Sequence, residues 1–277
     1  MPFWRTHEKQ LRMVWEAERN GIKNLLAGSA HFFPYSFRRS LIELISGTSA
    51  VLFEGPLDET DMSKVRQEGV EEKGTGRISN LLDKATLSAI SREFRGAAPA
   101  DSSLTLFADL LSRGKETLIP EEIDIMKPWM AFFAIWSHYL RKRGWTYSVD
   151  LEALSVAREL GKDIHCLETI EEQIDALSGI PVERIVNFFR RMNEWDKFAK
   201  SHARRYLKGN IEALASVIGD FPSRCESIVE KRDPIMFGRM MPFIERGNAI
   251  VFVGTTHIPG IKRMLEERGY TVNKLGQ

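Results

Sequence analysis

Gly28-Ser29-Ala30-His31 has a near copy, Gly254-Thr255-Thr256-His257, close to the other end of the chain. Each copy follows an apolar run and precedes a helical pattern. Residues 22–26 read as a short strand before the first copy, and Phe37, Leu41, Ile42, Leu44 and Ile45 recur after it at roughly helical spacing. Residues 249–253 read as a strand before the second copy, and Pro259-Gly260 opens a helix through Ile261, Met264 and Leu265. Each helix leads to a further strand, over residues 50–53 and 270–272. The pattern predicts an α/β fold with a central sheet and two strand-GxxH-helix-strand units. A glycine just past a strand allows a sharp turn and close approach to a ligand, so His31 and His257 are expected at the rim of the sheet. The alternative is that both histidines cap helices or satisfy local backbone groups.

The 277 residues, 43% of them hydrophobic, are enough to bury a large core. A formal net charge of +1 gives no global field for nucleic acid or anionic lipid, so nucleic acid is not an expected partner. Two cysteines far apart, Cys166 and Cys225, encode neither a disulfide framework nor a cysteine metal site. No apolar stretch of signal-peptide length stands at residues 1–9, and the most apolar segment, 126–136, falls short of the ~20 residues of a membrane span. A soluble, cytoplasmic protein is the expectation.

Along the chain, 11–16 and 22–26 form a hairpin turning at Arg19-Asn20-Gly21, because Asn-Gly supplies the positive φ of a tight loop. If the strands are parallel, the crossover from the first unit brings His31 and Glu54 to one edge, where the acid could bind metal or act as a base. Residues 57–145 read as a largely helical insertion and candidate lid, with helices over 79–94, 101–111 and 120–143. Pro128 is expected to kink or divide the last of these, whose aromatic run reads as core rather than substrate groove. Residues 151–160 are helical and 164–167 a strand that ends at Glu168, with Thr169 and Glu172 at capping-box spacing. Helices follow over 181–207 and 211–218, and Asp233-Pro234 reads as cap and first position of another. His138, His165 and His202 read as structural or surface residues. No linker divides the chain, so one domain over 1–277 is expected.

If the strand-end groups converge, His31, His257, Glu54 and Glu168 offer two imidazoles and two carboxylates, which suits a divalent metal and a bound water. A carboxylate could take the water's proton, and Arg232 could stabilise an oxyanion.

The ordered fragments Leu26-Ala27-Gly28-Ser29-Ala30-His31, Phe53-Glu54, Lys127-Pro128-Trp129, Val149-Asp150, Leu167-Glu168-Thr169 with Gln173, Lys231-Arg232-Asp233 and Val253-Gly254-Thr255-Thr256-His257-Ile258-Pro259-Gly260 resemble the TraB/PrgY/GumN family, related to the Tiki proteases. The resemblance implies an erythromycin-esterase/ChaN-like fold. From its Tiki branch it implies metal-dependent peptidase activity through the two GxxH histidines and a glutamate, here Glu54, with Mn, Co or Zn as the ion. Family members often carry Arg-Asn where this chain has Arg232-Asp233. Two functions are therefore expected as alternatives: a metal-dependent peptidase or amide hydrolase, or a non-catalytic protein that binds a peptide or small molecule in the same cleft.

Overall fold

Asn20 and Gly21 adopt φ of 53° and 80°, the backbone that a two-residue hairpin loop demands. They join β1 (Val14–Arg19) to β2 (Ile22–Ser29). The structure is a computed structural model and describes residues 8–70, 77–94 and 123–276. After β2 come α1 (Arg38–Ser46), β3 (Ala50–Phe53), α2 (Glu59–Gly69), α3 (Lys84–Phe94), α4 (Pro128–Arg141) and α5 (Val149–Glu159). β4 (Asp163–Cys166) leads to α6 (Ile170–Ser178), α7 (Val182–Arg190), α8 (Trp195–Lys208) and α9 (Ile211–Ile218). The chain closes with α10 (Asp233–Arg246), β5 (Ala249–Gly254), α11 (Ile258–Glu267) and β6 (Thr271–Lys274).

The strands form one six-stranded sheet in the order β4-β3-β5-β2-β1-β6. β4, β3, β5 and β2 run parallel, and β1 is antiparallel to both its neighbours. β5 inserts between β2 and β3, pairing Leu25 with Ile250 and Ser29 with Gly254 on one side, and Ala50 with Ala249 on the other. Strands so placed are covered on both faces. That is why β3 and most of β5 are continuous apolar runs, buried throughout, rather than alternating ones. The carboxyl ends of the four parallel strands share one edge, where open α/β sheets bind ligands.

Local chemistry divides three of the expected helices. Asp83 accepts the Thr86 N–H at 2.8 Å, so 79–94 separates into a 3-10 turn, Ile78–Leu81, and α3. Pro128 opens α4 rather than lying within it, and its aromatic residues are core: Phe132 and Trp136 both pack edge-on against Phe188. The 181–207 helix breaks at Arg191, where the Trp195 indole donates to the Phe188 carbonyl at 2.9 Å. α1 begins seven residues after His31, the intervening loop being held by other contacts described below. The expected helix at 101–111 lies outside the described residues. Both cysteines are free.

α8 ties the helical layer to the first GxxH. The buried Tyr206 hydroxyl donates to the Gly28 carbonyl at 2.6 Å, and its ring packs on Phe33. His202, one turn earlier, stacks beside Tyr206, and burial pushes its pKa from 6.5 down to about 4. The folded state therefore binds this proton more weakly than the unfolded chain, so stability is full above pH 6.5 and falls as pH drops towards about 4. His202→Gln should flatten the loss of stability over that interval in urea unfolding. An unchanged pH slope would show that His202 titrates alike in both states.

Candidate functional site

The strand order sets four side chains in a row along the carboxyl edge. Glu168 follows β4, Glu54 follows β3, His257 follows β5 and His31 follows β2. Because β5 arrives between β2 and β3, the second GxxH lies between Glu54 and the first. The two motifs touch: a Cβ on Gly28 would stand 3.1 Å from Thr255 Cγ2 and 3.3 Å from Ile258 Cγ1.

At the β3–β4 end, Arg232 is buried between two carboxylates. Its Nε donates to both Glu168 oxygens, at 2.9 and 3.1 Å, and its Nη2 donates to both Glu168 and Glu54. Glu54 Oε2 also accepts the Gly254 N–H at 2.9 Å. Burial raises the Glu54 pKa, but Arg232, His257, that N–H and His31 outweigh it and hold the group well below the usual carboxylate range. Glu54 is thus charged at any ordinary pH. Glu168 is almost wholly enclosed, its side chain 1% accessible, and burial pushes its pKa up despite Arg232. The Thr169–Glu172 capping box forms as expected, and Arg239 clamps this turn by donating to Glu172 and, at 2.8 Å, to the Leu167 carbonyl.

Each histidine has its own aspartate at Nδ1. Asp233, the first residue of α10, meets His257 Nδ1 at 2.6 Å, while His257 Nε2 faces Glu54 Oε1 at 3.7 Å. Asp150, in the first turn of α5, lies 3.1 Å from His31 Nδ1, a close charge contact off the line of a good hydrogen bond. The start of α5 grips the loop that carries His31: Val149 N–H donates to the Ala30 carbonyl, Phe33 and Tyr147 exchange backbone bonds, and buried Glu152 accepts from Ser36 Oγ and Phe37 N–H. His257 is enclosed, but 57% of the His31 side chain is accessible, so His31 stands at the mouth. Partial desolvation opposes charge on His31, yet Asp150 and Glu54 prevail and hold its pKa up at about 9.

Sequence reasoning put His31, His257, Glu54 and Glu168 at strand ends of one edge, and the strand order sets those four there, whereas Arg232, offered as an oxyanion stabiliser, joins them from the start of α10. It did not give Arg232 to the two glutamates, nor assign either aspartate its histidine. Asp233 was expected to cap α10. No side-chain cap exists there, because its carboxylate turns instead to His257. The sequence signal for both was an acid at the start of a helix, and the structure shows each of them buried rather than solvated.

The TraB/PrgY/gumN family profile matches residues 13–274. The chain belongs to the TraB/PrgY/gumN family. No curated protein and no solved structure matches it. In this TraB/PrgY/gumN member no helix among the described residues is long and apolar enough to cross a membrane. Its donor chemistry suits a divalent ion in kind: two imidazoles, each backed by an aspartate, and one carboxylate. The spacing is looser than the chemistry, since among the described residues no three such donors stand close enough to hold an ion.

Gly260 controls how the Asp233–His257 pair closes. A Cβ there would fall 1.9 Å from Asp233 Oδ2, an oxygen whose partner atom is already committed to His257. Gly260→Ala should cost about 1–3 kcal/mol, as overpacking does, and should shift the His257 Nδ1 proton resonance. Parent-like stability and an unmoved resonance would show that Asp233 does not occupy this space.

Proposed function

We propose that this chain is a metal-dependent hydrolase of peptide or other amide bonds, with His31, His257 and Glu54 as the groups that hold a divalent cation such as Mn, Co or Zn. The observation that carries the reading is the pairing of each GxxH imidazole with an aspartate at Nδ1. At His257 that contact favours the tautomer whose Nε2 bears the lone pair, the arrangement seen around histidines that ligate metals. His31, held protonated by Asp150 and Glu54, gives up its Nε2 proton when an ion binds. The ion, when bound, supplies Lewis acidity and a water of lowered pKa.

The chain's own residues supply charge and position. Glu54, Glu168, Asp150 and Asp233 outnumber the two cations paired with them, Arg232 and His31, so this cluster carries an excess of negative charge that favours a cation. Arg232 and the Gly254 N–H orient the Glu54 carboxylate, and Glu168 balances Arg232 from behind. With its guanidinium held on both carboxylates, Arg232 serves Glu54 rather than an oxyanion. The low basicity of Glu54 suits a ligand better than a general base. His31, at the mouth, is the donor best placed to meet substrate. The loose donor spacing favours the second reading, a non-catalytic binder of a peptide or small molecule in the same cleft.

Metal analysis of the purified protein, followed by a peptide-cleavage screen with and without chelator, separates the two. In the hydrolase, His31→Ala combined with His257→Ala abolishes metal retention and cleavage while circular dichroism and the melting curve match the parent. Chelator-insensitive binding of a peptide by a parent that retains no metal and cleaves nothing would establish the binder instead.

A further inference from the structure

The cations around this edge are unequally matched. Arg232 is held by two carboxylates. Arg224 is half-buried and forms no ion pair among the described residues; its guanidinium donates only to the Thr256 carbonyl, through Nη1 at 3.4 Å. Thr256 belongs to the second GxxH. A Cβ on Gly254 would lie 3.7 Å from Thr256 Oγ1, 3.4 Å from Glu54 Oε2 and 3.5 Å from His257 Cδ2, so Arg224 is anchored to the same loop that carries His257. Its backbone is fixed too, the N–H donating to the Phe221 carbonyl at 2.9 Å.

Every buried or half-buried carboxylate of the row already has a partner: Glu54 and Glu168 have Arg232, Asp233 has His257 and Asp150 has His31. None is left for Arg224. A partly desolvated guanidinium whose other donors face no carboxylate among the described residues is complemented best by a planar anion that takes two of them at once. We propose that Arg224 recognises a carboxylate of the substrate, held beside the His257 loop. This rests on the reading that the edge is a substrate cleft, and it makes the substrate an acidic one. The carboxylate has two sources, the C-terminus of a peptide or an acidic side chain.

The test measures calorimetric binding of N-acetylated alanine peptides to the full chain: one with a free C-terminus, its C-terminal amide, and an amide whose last residue is Glu. The parent should bind one of the acidic peptides about tenfold more tightly than the neutral amide, as a charge-assisted pair provides, and which one identifies the source. Arg224→Gln, folded as judged by its melting curve, should erase the difference, and Arg224→Lys should restore part of it. Equal binding of all peptides by the parent, no measurable binding of any, or a preference that survives Arg224→Gln overturns the proposal. Cleavage is followed separately. An Arg224-dependent preference without cleavage upholds the carboxylate site and rejects the hydrolase, whereas cleavage without preference does the reverse.

Discussion

A guanidinium buried between two carboxylates holds this edge of the molecule together. Arg232 comes from the start of α10, Glu54 from the end of β3 and Glu168 from the end of β4, so one side chain joins three segments distant in sequence. None of the three could be enclosed alone, because an unmatched buried charge costs several kcal/mol. Together they set the distance between the two strand ends and keep Glu54 ionised and aimed at His257. The site's electrostatics are therefore a by-product of how the sheet edge is closed.

The two GxxH units solve one geometric problem twice. In each, a glycine lies at or next to the end of a strand, a turn carries the histidine, and the first turn of a helix from elsewhere supplies the aspartate. The glycines do different work. Gly28 lets the two loops pack against each other and Gly260 admits the Asp233 carboxylate, whereas a Cβ on Gly254 would make only ordinary contacts with Glu54 and His257. The halves differ in exposure, however. His257 is sealed, while His31 is open at the mouth, so anything bound between them meets one enclosed and one accessible imidazole.

Much of this is legible in the sequence where the cause is local. Asn20-Gly21 dictates its turn, Thr169 and Glu172 their capping box, and the apolar runs at 50–53 and 249–253 their strands. Helix ends are harder, since Asp83 and Trp195 break their helices through hydrogen bonds whose acceptors or donors a periodicity does not reveal. The candidate site is legible as residue types but not as partnerships. Asp233-Pro234 has the pattern of a cap, and only tertiary packing against Gly260 and His257 redirects its carboxylate. Strand order is likewise invisible from the chain: nothing near Ala249 announces that β5 will enter between β2 and β3.

That insertion governs when the site can exist. Until β5 arrives, β2 and β3 have no hydrogen-bonded contact with one another, and the centre of the sheet is a gap with two open strand edges. The pairing that closes it is of very long sequence separation, the kind that is slow because loop closure precedes any reward. During synthesis, His31, Glu54 and Glu168 leave the ribosome long before His257. A nascent chain can therefore carry most of these residues and still have no cleft, so whatever chemistry they perform is withheld until the second GxxH has been made and β5 has paired.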